Sequence, residues 1–199
     1  MNATLAAVLW PQSRNTLLNK AILVVMGSVL LALSSKFKVP FYPVPMTMQT
    51  FVVLALGMAL GWRMAGATVL LYLVEGAAGL PVFAGTPEKG IGFAYMIGGT
   101  GGYLFGFLLA APFCGWLAER GWDRGPLTTA AAMILGNVVI YFFGVLWLGS
   151  LLGWDKPILE WGLTPFILGD LAKVALASAI LPLCWQVIGK RRSSTADES

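Results

Sequence analysis

Two charged side chains sit three residues apart in a stretch that is otherwise apolar. They are Asp170 and Lys173, in the run Gly169-Asp170-Leu171-Ala172-Lys173. The surrounding segment, Gly162–Lys190, is long enough to cross a bilayer. Near a bilayer centre each charge costs about 2.5–3.5 kcal/mol, so something has to offset it. On a helix, positions i and i+3 share a face. The carboxylate and the ammonium can therefore meet each other, or meet a common polar ligand. Such a pair can neutralise an anion, accept N–H donors or carry a proton, and an intramembrane charge is in the first instance a functional site.

The elements that must hold these groups are helices. Of 199 residues, 58% are hydrophobic and 11% charged, where globular chains carry ~25% charged residues. An integral membrane protein of all-α class follows. The hydrophobic segments are too many and too long for a signal peptide. There are no histidines, which removes imidazole metal sites, Ser-His-Asp triads and histidine proton relays. Cys114 and Cys184 both fall in apolar segments and read as small buried hydrophobes. The excess of basic residues is spread over loops and termini and does not suggest nucleic acid.

A hydrocarbon core of ~30 Å needs ~20 apolar residues per helix. The pattern predicts six spans: Leu18–Ser35, Met46–Gly61, Arg63–Gly79, Ala94–Ala118, Thr128–Leu152 and Pro165–Gly189. They form one six-transmembrane-helix bundle over residues 18–189, after an N-terminal segment 1–17 and before a polar, disordered tail 190–199. Gly61-Trp62-Arg63 alone separates the second and third spans, as a tight turn or a break in one helix. Thr164-Pro165 supplies an N-cap and a first-turn proline for the last span. Pro182 should kink it.

With six spans both termini share a side. That side carries Arg14, Lys20, Arg63, Arg120, Arg124, Lys190, Arg191 and Arg192, eight in all, against four on the other: Lys36, Lys38, Lys89 and Lys156. The positive-inside rule then places both termini in the cytoplasm. Asp170 and Lys173 would lie ~8 and ~12 Å below the outer end of the last helix, so a cavity there opens outward.

Three outward connections look unlike ordinary loops. Lys38–Phe51 holds three prolines, with Phe41 and Tyr42 as apolar contacts and Thr47, Gln49 and Thr50 as neutral hydrogen-bonding groups. It is either a rigid turn or a wall over a small ligand. Leu80–Tyr103 is dense in glycine and aromatics, which suits close backbone approach and flat apolar ligands. Its run Gly98-Gly-Thr-Gly-Gly102 lacks the Gly-Lys-Ser/Thr ending of a phosphate loop and can instead serve close helix packing. Gly153–Thr164 carries Trp154 and Trp161, suited to anchoring at headgroup level. Glu75 can reach the interface or face the cavity, and Asn137 is placed for interhelical hydrogen bonding. Ser28 and Ala32, with Gly27 alongside, make a small-x-x-x-small pair that admits another helix, in this chain or another.

The chain resembles the BioY family, biotin-specific substrate-binding S components of energy-coupling factor (ECF) transporters. The resemblance runs from about Leu18 to Gly189. It rests on Val44-Pro-Met-Thr-Met-Gln-Thr-Phe51, on Leu71-Tyr-Leu with Gly79-Leu-Pro-Val-Phe-Ala-Gly85, on Gly99-Thr-Gly-Gly-Tyr-Leu-Phe-Gly-Phe107, and on Gly169-Asp170-Leu-Ala-Lys173. It implies a six-helix S-component fold that captures biotin from outside, without cofactor or metal of its own. It also implies a transmembrane coupling protein and two ATPases as partners. The family's Asp-x-x-Lys motif falls on Asp170 and Lys173. A helix-one docking motif falls on Ser28 and Ala32.

The implied ligand set is Asp170, Lys173, Gln49, Phe41, Tyr42, Phe83, Gly85, Tyr95, Thr100 and Tyr103. Lys173 can neutralise a carboxylate or donate to a ureido carbonyl, Asp170 can accept ureido N–H groups, and the aromatics can enclose an apolar ring. Two other readings stand beside it: an S component for another small vitamin, and a solitary secondary transporter with Asp170 as its proton site. A membrane enzyme is disfavoured, since no histidine, metal cluster or nucleophile motif is present.

Overall fold

The computed structural model describes residues 3–10, 16–40, 42–85 and 90–197, with side chains through Ile188. The fold is mostly helical. Its elements in order are α1 (Leu5–Leu9), α2 (Leu17–Lys36), β1 (Lys38–Val39), β2 (Met46–Thr47), α3 (Gln49–Leu60), α4 (Trp62–Ala77), α5 (Phe93–Met96), α6 (Gly101–Ala118), α7 (Pro126–Leu152), α8 (Ile158–Gly162), a 3-10 turn (Thr164–Phe166) and α9 (Ile167–Asp197).

Among the described residues, four helices are long and apolar enough to cross a membrane: α2, α6, α7 and α9 with the segment before it. The expected second and third spans are shorter than that. At 1.5 Å per residue, the 12 residues of α3 reach only ~18 Å and the 16 of α4 ~24 Å. Residues Met46 and Thr47, expected to be helical, instead form β2, which pairs antiparallel with β1 (Lys38↔Thr47, Val39↔Met46). The prolines of this loop lack the N–H that a helix needs.

α6 occupies the centre. Its apolar window is 61% buried, against 22–39% for the other three. Small residues make this possible. A Cβ on Gly106 would lie 2.8 Å from Ile140 Cα on α7, one on Gly115 2.5 Å from the Trp62 nitrogen on α4, and one on Gly57 of α3 2.5 Å from the Ala111 carbonyl oxygen. Gly61, at φ +81°, is the whole connection between α3 and α4, resolving that junction as a one-residue turn.

The expected fourth span, Ala94–Ala118, is broken at its start. α5 ends at Met96, and α6 begins only at Gly101. Each glycine in Gly98–Gly102 costs a helix about 1 kcal/mol relative to alanine. The Gly98 carbonyl accepts from the Gly101 N–H at 3.0 Å in a tight turn and from Trp147 Nε1 at 2.8 Å. Thr164 does not cap α9; its hydroxyl donates back to the Leu159 carbonyl at 3.2 Å. The tail expected to be disordered continues the α9 backbone as far as Asp197; beyond Gly189 it contains no glycine or proline to stop the helix.

Candidate functional site

One end of the bundle gathers β1–β2, α5, α8 and the starts of α3, α6 and α9. Here a cavity of about 50 Å³ lies among side chains from several of these elements and from α7. Of the residues expected at a ligand site, Asp170, Lys173, Gln49, Tyr95, Thr100 and Tyr103 line it.

Asp170 falls in the first turn of α9, where the helix dipole favours a negative charge. Lys173, one turn on, reaches back to it. Both are more than nine-tenths buried. Lys173 Nζ spends its three hydrogens on the Thr47 carbonyl at 2.7 Å, Thr50 Oγ1 at 2.8 Å and Asp170 Oδ1 at 2.8 Å. Thr50 in turn donates to Asp170 Oδ1 at 3.0 Å, and Tyr141 donates its hydroxyl to Asp170 Oδ2. The network is closed, since the ammonium has no spare donor. A buried ion pair persists only when its remaining hydrogen-bonding capacity is met, and Thr47, Thr50 and Tyr141 meet it.

The rest of the wall is a layered set of aromatics. Tyr103 donates to the Gly162 carbonyl at 2.7 Å, tying α6 to α8. Gln49 Nε2 donates to the Tyr72 hydroxyl at 2.6 Å, and Tyr72 donates to the Val82 carbonyl at 3.2 Å. The Gly85 N–H donates to the Tyr95 hydroxyl at 3.2 Å. These bonds fix the 80–85 segment over α4.

Several expected ligand residues lie elsewhere. Phe83 is fully buried behind the wall, stacked on Tyr95 with ring centroids 4.9 Å apart and edge-on to Tyr72 at 5.4 Å. It supports the wall instead of touching the cavity. Gly85 also acts from behind, through Tyr95. Tyr42 is 87% exposed, off the cavity, because β1–β2 turns its loop away. Phe41 lies outside the described residues. Ser28 corrects the docking expectation. It is buried within the chain, where its hydroxyl donates to Glu75 Oε1 of α4 at 3.0 Å. A Cβ on neighbouring Gly27 would press on Thr68 of α4. The small-residue face of α2 thus admits α4 of the same chain, and Ala32, half-buried, packs against the same core. Glu75 faces α2 and not the cavity.

Sequence reasoning left out Tyr141 and Phe166, and it named Thr50 only as a polar loop residue. All three line the cavity. The one signal for Tyr141 was a hydroxyl within a long apolar helix. Among the described residues, no group of three or more Cys, Asp or Glu comes together to hold a metal.

The model of the BioY family matches residues 5–190. The chain belongs to the BioY family. Its relatives include a probable biotin transporter BioY of Pyrococcus horikoshii, 35% identical over 158 residues, covering 79% of this chain and 91% of that one. The biotin transporter BioY of Thermotoga maritima is 35% identical over 153 residues, covering 77% of this BioY-family chain and 88% of its own. A crystal structure described as the S-component for biotin from an ECF-type ABC transporter superposes with a TM-score of 0.71 at 21% identity. It covers 85% of this chain and 92% of that one, so this BioY-family chain shares its fold.

Proposed function

We propose that this chain is the biotin-binding subunit of a vitamin uptake transporter and not an enzyme. It takes biotin from outside and passes it across the cytoplasmic membrane, driven by a transmembrane coupling protein and two ATPases. The observation that carries this reading is the buried Asp170–Lys173 pair at one end of an apolar bundle, in a chain whose relatives are named biotin transporters. A carboxylate ligand can exchange for one of the three acceptors of Lys173. Asp170 can accept N–H donors once Thr50 or Tyr141 releases it. The tyrosine-rich wall suits an apolar ring.

The cavity of about 50 Å³ holds a few waters, far below the ~300 Å³ of an ordinary small-molecule site. Binding therefore involves opening of the wall. We read α2, α3, α4, α6, α7 and α9 as the six helices of an S-component bundle, with both termini cytoplasmic. The 8-to-4 distribution of Lys and Arg supports that orientation.

Radiolabelled-biotin binding to the purified chain, without any partner, tests the reading. Saturable binding competed by unlabelled biotin is expected. Binding of a different vitamin in a competition panel, with biotin inert, would replace the ligand and keep the transporter class.

A further inference from the structure

At the end of the bundle away from the cavity, three arginines each lie on an indole ring. Arg63 Cζ is 5.0 Å from the centre of the Trp62 ring, Arg120 Cζ 3.4 Å from that of Trp116, and Arg124 Cζ 4.6 Å from that of Trp185. The first two pairs meet where α6 ends beside the start of α4, since Glu119 accepts the Trp62 N–H at 3.3 Å. The third joins the α6–α7 turn to α9. All three arginines are exposed, and none is ion-paired with a carboxylate of the described residues. The two acids nearest to them in sequence are turned the other way. Glu119 caps the start of α4, and Asp123 is buried, held by Trp185 Nε1 at 2.6 Å. The fold thus draws the negative charges of this end inward and leaves the positive ones on its rim.

We propose that this rim binds anionic phospholipid through the headgroup phosphate. Indoles settle at headgroup level, and Trp62 and Trp116 are 40% and 43% exposed. A guanidinium lying on an indole is oriented by the ring yet keeps its N–H edge free, and that edge matches two phosphate oxygens. Arg120 gives one N–H to the Trp116 carbonyl at 3.1 Å and keeps the rest. Arg124 stands two residues before α7, whose first-turn N–H groups receive no side-chain cap from Gly125. The positive end of that helix adds to the field there. Leu127, 87% exposed in the same turn, offers apolar surface to an acyl chain. Phosphate-binding groups beside exposed indoles and an exposed leucine fit a molecule that carries a phosphate and a hydrocarbon chain together.

The test uses the purified full chain in neutral detergent micelles, with phosphatidylglycerol or phosphatidylcholine carrying brominated chains that quench the indoles they touch. The parent is expected to prefer phosphatidylglycerol at least tenfold. Each arginine near an anionic lipid surface contributes about fivefold, so Arg63→Gln, Arg120→Gln and Arg124→Gln together should abolish the preference. Lysines at the same three positions keep the charge without the flat fork and should still lose at least threefold. A parent that takes both lipids equally overturns the proposal, as does a triple Gln variant within twofold of the parent. Loss of assembly with the coupling protein in that variant would then assign the face to a protein. Lysine variants equal to the parent reduce the rim to diffuse surface charge and overturn the proposal too. Millimolar inorganic phosphate should not displace the lipid; displacement marks a free-anion site and is equally fatal. Should the triple Gln variant not fold, Arg120→Gln alone decides, with about a fivefold loss expected and a loss under twofold overturning the proposal.

Discussion

Replacing Lys173 by methionine keeps the length of the side chain and removes its charge. The ammonium makes three hydrogen bonds at 2.7–2.8 Å, and its removal leaves the buried carboxylate of Asp170 without a counter-charge. Breaking a buried pair from one side typically costs about 3–5 kcal/mol. Asp170 keeps Thr50 and Tyr141 as donors, so the lower end, about 3 kcal/mol, is expected. Asp170→Asn with Lys173→Met removes both charges and should return stability to within about 1 kcal/mol of the parent. The coupling between the two sites is then at least about 2 kcal/mol, within the range for residues in one network. Binding should behave differently. Lys173→Met loses at least tenfold in biotin affinity, about 1.4 kcal/mol, and the double variant does not recover it. Thermal unfolding in detergent and equilibrium binding of radiolabelled biotin read the two quantities separately. A double variant that regains parental affinity would show that the pair only clamps α9 to α3. A folded Lys173→Met chain with parental affinity would remove Lys173 from the ligand site.

Three further outcomes follow. Asp123, in the turn between α6 and α7, is buried, its Oδ1 without a hydrogen-bond partner among the described residues, while Trp185 donates to Oδ2 at 2.6 Å; burial pushes its carboxyl pKa up. A raised acid pKa makes the folded state less stable as pH rises through the window above the ordinary carboxylate range. Asp123→Asn should thus gain thermal stability over the parent at pH 7, by a margin that shrinks as pH falls; a pH-independent margin contradicts this. Gly106→Leu should drive α6 from α7 and cost at least about 1–3 kcal/mol, whereas Gly99→Ala, whose Cβ would meet Leu148 at an ordinary 3.5 Å, should be tolerated in size-exclusion profiles. A reporter fused after Ser199 should report the cytoplasmic side; labelling of tail cysteines in intact cells would invert the orientation.

The charged pair was legible because its cost in an apolar helix is local: Asp170 and Lys173 stand out against their own neighbours in sequence. The polar groups that complete the network were not. Thr50 and Tyr141 lie 120 and 29 residues from Asp170, and only the packing of α3 and α7 against α9 brings them in. Ser28 and Ala32 show a different limit. Small-residue spacing says that a helix face is narrow enough for close approach, but not which helix approaches; here α4 takes it. Tyr42 and Phe83 were aromatic residues in a suitable loop, yet one ended exposed and the other behind the wall. Composition reports what a loop could contribute, while side-chain direction depends on how β1–β2 and the 80–85 segment are tied down. The late start of α3 was hidden because Met46 and Met48 carry the apolar pattern back past its first residue, Gln49.

The mutual neutralisation of Asp170 and Lys173 also bears on the membrane potential. With one positive and one negative charge less than 3 Å apart, the empty site carries no net charge. Movement of this site within the bilayer then carries no net charge, so the pair itself contributes almost no electrical work. A bound ligand with an ionised carboxylate adds one negative charge. Moving that charge across the full field is worth about 2.3 kcal/mol per 100 mV, and it opposes inward movement in a cell that is negative inside. The loaded site, unlike the empty one, would therefore carry a net negative charge against the potential as it moves inward.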